Sequence, residues 1–208
     1  MRRRAENQMK KLIIKTICIT LAVVVAASLA VYAFIAVFAP SALAGFYDKV
    51  GNYSLTIKYS EKAYESSQSF EELAELCSAL DEHSDAEKTV KYFTVFVNDE
   101  AFADYCLRAN GVNGAMTAAE FYYGKLTVAE FAVKGADVAI ERASYFADKY
   151  GYTCYNPFYV LILDLGDNIE LSVKTKIKAA ITGKYPSLNE ETQAFADRDL
   201  KLLSESAS

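Results

Sequence analysis

Tryptophan is missing from this 208-residue chain, and histidine occurs once, as His83. A single histidine excludes the paired-histidine zinc chemistry of an H-E-x-x-H helix, and neither a P-loop nor a G-x-S-x-G elbow is present. Proline is down to three and glycine to nine, too few for a collagen-like or low-complexity chain. The four cysteines have spacings that match no zinc motif. Positive charge is concentrated at the N-terminus, where Arg2, Arg3, Arg4, Lys10, Lys11 and Lys15 stand against Glu6. Removing these six and one from totals of 22 and 27 leaves 16 basic and 26 acidic residues. So acidic a remainder repels phosphate backbones, and nucleic acid is not an expected partner.

Charge of either sign is absent from Thr16 to Tyr47, and Ile17 to Ala39 is almost wholly apolar. As a helix this run reaches roughly 34 Å, enough for a hydrocarbon core of about 30 Å. Backbone groups in lipid must be satisfied internally, so helix is the expected conformation. The basic flank predicts a cytoplasmic N-terminus and an extracytoplasmic remainder in the cell membrane. "PSALAG" sets Ala42 and Ala44 in the small-residue pattern of signal-peptide cleavage, but the apolar run exceeds the roughly 7–15 residues of a secretory signal. A retained single-pass anchor is expected, with lipid contacts through residues 16–40. Secretion after cleavage following Ala44 is the alternative.

Beyond the anchor the sequence reads as helix. Tyr53, Thr56, Ile57, Ser60, Ala63 and Tyr64 share one face at the 3.6-residue period. The same offsets recur at Ala86, Thr89, Val90, Phe93, Phe96 and Val97, and again at Ala136, Ala139, Ile140, Ala143, Phe146 and Ala147. A fourth, rotated stripe runs through Ile169, Val173, Ile177, Ala180 and Ile181. Phe70, Leu73, Ala74, Cys77 and Leu80 predict a helix capped by Ser69 and Glu72. Asn156-Pro157 opens another helix, Gly166 ends it, and Asn189 caps a last one. No strand alternation competes, and the fold class is all-α.

Stripes 33 residues apart, with a glycine turn before the helix, indicate a repeat array. "GNYSLTIKYSEKAYE" resembles the turn and second helix of tetratricopeptide repeats, with Thr56 and Ala63 at that family's small packing positions. "SDAEKTVKYFTVFVND" resembles it with one departure, Phe96 standing where the family prefers alanine. The family's first-helix pattern is not recognisable in "FEELAELCSAL", so the resemblance covers about half the chain. It implies stacked helical hairpins with a concave surface for protein or peptide, and it carries over no ligand residues. The expected organisation is a basic N-terminus (1–15), a transmembrane helix and exit segment (16–44), a helical repeat domain (45–186) and a C-terminal helix and tail (187–208). In this arrangement the Tyr53 stripe is expected to pack partly on Phe46, Tyr47 and Val50 and partly on the next hairpin.

Candidate chemistry is sparse. His83 sits with Asp81, Glu82 and Asp85, a set whose consecutive residues do not converge on one ion and which reads as a solvated turn. "NGVNGA" from Asn110 lacks the setting of a phosphate loop and reads as a linker. Cys77, Cys106 and Cys154 read as buried free thiols rather than a disulfide framework. The rings of the densest aromatic segment, "YFADKYGYTCYNPFY", are expected first to wedge between helices, and Tyr145, Tyr152, Tyr155 and Tyr159 are the candidate binding residues if they face outward instead. Neither a catalytic residue, a cofactor nor a metal site is expected. The chain reads as a non-enzymatic scaffold or adaptor for a protein partner at the membrane. A module for cell-envelope (cell-wall) glycan, using the tyrosines, is the alternative. A carboxylate-based enzyme is a third class, for which no pair of acids stands out.

Overall fold

The structure is a computed structural model that describes residues 2–83, 85–109 and 117–205. Every regular element among them is helical, with no strand. The "NGVNGA" linker lies outside the described residues. The chain divides into two compact units, residues 1–68 and 69–208, so the helix from Tyr53 falls with the N-terminal one.

The N-terminal unit holds α1 (Arg2–Phe38), α2 (Pro40–Lys49) and α3 (Tyr53–Ser67). Within α1, Lys11–Phe38 is long and apolar enough to cross a membrane. The helix stops because Ala39 leaves the helical region and Pro40, lacking an N–H, begins α2 at a position where no donor is needed. Asn52 then caps α3 by accepting the Leu55 N–H at 3.4 Å. Leu43, Ala44 and Tyr59 form the core of this unit, against Ile35, Ala36, Tyr47 and Leu55. The expected packing of the Tyr53 stripe needs correction here. Phe46, Val50 and Tyr53 are exposed, and it is Tyr47 that stacks on α3, through the Tyr59 ring at 5.6 Å. Tyr59 lies one residue off the stripe, so α3 has a wider buried face than its apolar period shows.

The C-terminal unit continues with α4 (Phe70–Glu82), α5 (Ala86–Asn98), α6 (Phe102–Ala109), α7 (Ala118–Lys134), α8 (Ala136–Tyr150), α9 (Pro157–Leu165), α10 (Leu171–Lys184) and α11 (Glu190–Glu205). Their starts follow from local chemistry. Ser69, Asp85, Asn156 and Asn189 each accept a backbone N–H three residues on. Thr117 and Glu120 close a reciprocal capping box at the head of α7.

Helix α7 is the centre of this unit. It packs on α5, α6, α8 and α9, while α8 meets α10 and α9 meets α11. Its buried positions run almost all the way round: Ala118, Ala119, Tyr122, Tyr123, Gly124, Leu126, Thr127, Ala129 and Glu130. Between α7 and α8 the chain turns on Gly135, whose φ of +89° suits a residue without Cβ, and its N–H closes onto Glu130 and Phe131 carbonyls.

Two apolar regions follow. The first is aromatic: Phe96 is fully buried, with Phe70, Phe102, Tyr105 and Tyr122 at centroid distances of 4.9–5.3 Å. A ring at position 96 is therefore the hub of four others, which is why alanine would not serve there. The second gathers Ala139, Ala143, Tyr152, Phe158, Leu161, Ile177, Ile181 and Leu203 from α8 to α11.

Candidate functional site

Two regions of the C-terminal unit bear on function: the tyrosine-rich segment around the start of α9, and a groove beside α7.

The tyrosines separate into different environments. Tyr145 is 44% exposed on α8, and Tyr152 is 2% exposed. Burial of Tyr152 has a polar cause. Its hydroxyl donates to Asp199 Oδ2 at 2.7 Å, from the loop before α9 to the middle of α11. Asn156 Nδ2 donates to the same oxygen at 3.1 Å, and its Oδ1 accepts the Tyr159 N–H to cap α9. Arg198 closes the other side, giving Nε and Nη2 to Asp199 Oδ1 at 2.9 and 2.7 Å. Its guanidinium also donates to the Cys154 carbonyl at 2.7 Å and covers the Tyr159 ring at 3.7 Å. Tyr155 and Tyr159 are half-buried and meet edge to face at 6.0 Å. Tyr152 thus presents no ring to a ligand, Tyr159 is covered by an arginine, and of the four only Tyr145 stands exposed. The four do not share one surface. Asp199 and Arg198, the residues that organise this segment, carry no local signal, because their partners lie more than forty positions away in sequence.

Burial pushes the Asp199 carboxyl above its ordinary value, against the pull of its three donors. The Tyr152 hydroxyl is held up by burial first and by the neighbouring carboxylate second. Both effects describe a closed structural network rather than a proton-transfer site open to substrate.

The groove is a cavity of about 350 Å³ between α4, α5, α7 and α9. Leu80, Phe93, Val128, Ala129 and Val160 give it an apolar floor, and Asp81, Lys125 and Asp164 stand at its polar edge. Lys125 pairs with Asp81 at 2.8 Å. Such a site is apolar with a few polar groups at its rim, the composition of a small binding cleft. The four helices come from separated stretches of sequence, and no motif announced their meeting.

One local hint was present. Gly124 interrupts a helical pattern, and a Cβ there would lie 3.0–3.2 Å from the Val160 side chain. Glycine therefore sets the approach of α7 to α9. Gly124→Leu should destabilise the unit by about 1–3 kcal/mol through overpacking. That loss exceeds the helix-propensity gain of about 1 kcal/mol. Urea unfolding checks it: an unchanged or higher midpoint would mean that Val160 yields and the glycine is dispensable.

The other candidates have plain structural accounts. Asp81 is engaged by Lys125, Asp85 caps α5, and His83 Nε2 lies 3.6 Å from Glu82. Among the described residues no three of His, Cys, Asp and Glu are placed to hold a metal ion. All four cysteines are free; Cys77 is fully buried, and burial pushes the Cys106 thiol up to about 11. Thiols held protonated in this way are poor nucleophiles.

No protein-family model matches the chain, and no curated protein matches it.

Proposed function

We propose that this is a single-pass membrane protein whose extracytoplasmic helical domain binds another protein, with the groove beside α7 as the contact site. The observation that carries the reading is the order of packing in the C-terminal unit. Alternate helices neighbour one another, α7 with α9 and α9 with α11 in one row, α8 with α10 in the other. Such two-row packing is how stacked helical hairpins, including tetratricopeptide repeats, bury their faces. The groove lies against the α7–α9 row and has room for apolar side chains of a peptide. The basic flank of α1 supports a cytoplasmic N-terminus. A retained anchor is supported by the position of the cleavage-like residues: Ala42 and Ala44 lie within α2, and Ala44 is buried. A protease needs extended chain, which this helix does not offer.

A binding role is also the reading that best fits the absence of any motif for chemistry, and the domain is proposed to act as a scaffold or adaptor. In-cell crosslinking of the full-length protein tests this. Ala132 lines the groove at an exposed position on α7, so Ala132→Arg fills it from the surface. Leu171→Arg, at an exposed position on α10, is the control. A protein crosslinked to wild type and to the Leu171 variant, and reduced at least tenfold by Ala132→Arg, is the expected result. Equal crosslinking of all three would reject the groove. Recovery of wall glycan alone would replace the protein partner with the glycan reading, for which Tyr145 is the remaining exposed ring among the four candidates.

A further inference from the structure

We propose that the α2–α3 hairpin lies on the membrane surface, with the boundary of the hydrocarbon core just below its turn, about one helical turn before Tyr32, and with Phe46, Val50 and Tyr53 seated among the lipid headgroups. This rests on the reading that α1 spans the membrane.

The argument starts from the direction of the chain. Tyr59 bonds to the Tyr32 hydroxyl, and three residues further on Lys62 donates to the Ala36 carbonyl at 3.5 Å. Helix α3 therefore runs parallel to α1 along its last two turns. Helix α2 pairs with α3 across the turn at Val50–Asn52, and Tyr47 reaches Tyr32, hydroxyl to hydroxyl, at 3.3 Å. So α2 runs back along α1, toward the N-terminus and the bilayer. From Tyr47 to Val50 it descends roughly a further 5 Å at 1.5 Å per residue. The hairpin turn is thus the part of this hairpin closest to the lipid.

That geometry limits how deep α1 sits. Asp48 and Lys49 are exposed at the turn, and hydrocarbon does not accept exposed charges. The core must end at the level of that turn, about three residues before Tyr32 and so near Leu29. Counting back about 17 residues, the short end of what a bilayer core requires, reaches Ile13. Lys11 is then outside, and Lys15 reaches the interface by extending its long side chain. The three hydroxyls of Tyr32, Tyr47 and Tyr59 gather about one helical turn above that boundary, in the interfacial layer where amphipathic aromatic rings concentrate in membrane proteins.

The exposed apolar residues near the turn fit the same picture. Phe46, Val50 and Tyr53 are 55%, 59% and 46% exposed, on a short hairpin whose other face is spent on α1. Their surface continues the exposed, lipid-facing surface of α1, so the bilayer is the occupant that adjoins them. Headgroups with acyl carbonyls take rings and short aliphatic groups at this depth, and they also solvate Asp48 and Lys49.

The chain has no tryptophan, which makes single-tryptophan variants direct reporters. Full-length Phe46→Trp, Val50→Trp and Leu21→Trp are reconstituted in phosphatidylcholine vesicles containing phosphatidylglycerol. Quenching is read with lipids brominated near the headgroup or deep in the acyl chain. The expected result is strong quenching of Trp at 50 and 46 by the shallow label and of Trp at 21 by the deep one. Substitutions at exposed positions leave the fold intact, which helical circular dichroism verifies. Deep quenching at 21 with none at 46 and 50 would overturn the surface hairpin while leaving the anchor standing. Absence of quenching at all three would overturn the anchor and the hairpin placement together.

Discussion

Asp199→Ala will lower the stability of the C-terminal unit by about 3–5 kcal/mol, the cost of removing one partner from a buried, hydrogen-bonded charge cluster. Asp199 is fully buried, and its two oxygens receive the Tyr152 hydroxyl, the Asn156 amide and the Arg198 guanidinium. Without the carboxylate, two buried donors and one half-buried cation lose their acceptor at once. The loss spreads to α9, because the Asn156 side chain that donates to Asp199 is the one that caps that helix. Urea unfolding followed by far-ultraviolet circular dichroism reads the effect as a shift in midpoint with unchanged slope. A cost below about 1 kcal/mol would show that water replaces the carboxylate and that the network is ornamental. Asp199→Asn supplies a second test, through pH. Burial raises the Asp199 pKa in the folded state, so the folded protein holds that proton more tightly than the unfolded chain. As pH falls from neutral through the raised folded value toward about 4, wild type should gain stability relative to Asp199→Asn. The opposite trend would mean that the three donors outweigh desolvation.

The second large effect concerns Glu130, whose side chain is also completely buried. Arg142 reaches it from α8 with Nε to Oε2 at 3.0 Å and Nη2 to Oε1 at 3.1 Å, and Lys134 adds a contact at 3.3 Å. This fork ties the two arms of the α7–α8 hairpin, and the hydrogen bond to Glu130 holds the guanidinium pKa above its usual value. Arg142→Ala leaves a buried carboxylate with one partly exposed lysine, at a cost of about 3 kcal/mol. Replacing both, as Glu130→Met with Arg142→Leu, should recover most of that loss, since an apolar pair of similar size needs no partner. A double-mutant cycle gives the coupling directly. If the double variant were no more stable than Arg142→Ala, the fork would matter for its packing and not for its charge.

How much of this was legible in the sequence depends on each helix's surroundings. Thr89, Val90, Phe93, Phe96 and Val97 in α5 are buried as their period predicts, and so are Ala139, Ala143 and Phe146 in α8. These helices keep one wet face, so composition records their orientation. Helix α7 is wrapped by neighbours, its apolar and small residues surround it, and no stripe remains to be read. Its start is fixed instead by the reciprocal capping box of Thr117 and Glu120, which the structure brings out. The tyrosine segment was legible only as a choice between packing and exposure, for a different reason. Whether a tyrosine faces water or a buried carboxylate depends on a partner far along the chain, and Tyr152 and Tyr145 look alike until Asp199 is in view. The hairpin after α1 is an intermediate case: Pro40 marks the break, while the direction of return is set by Tyr32, Tyr47 and Tyr59.

The central place of α7 also orders events during synthesis. The rings of Phe93 and Phe96 in α5 are covered in part by Tyr122, at 5.5 and 4.9 Å, from a helix that is made later. Until that helix has been delivered, the earlier part of the unit carries uncovered aromatic surface of the kind that chaperones hold. Assembly of α4 and α5 must therefore wait for the middle of the chain, and a molecule interrupted before Tyr122 would present its most adhesive face to whatever stands nearby.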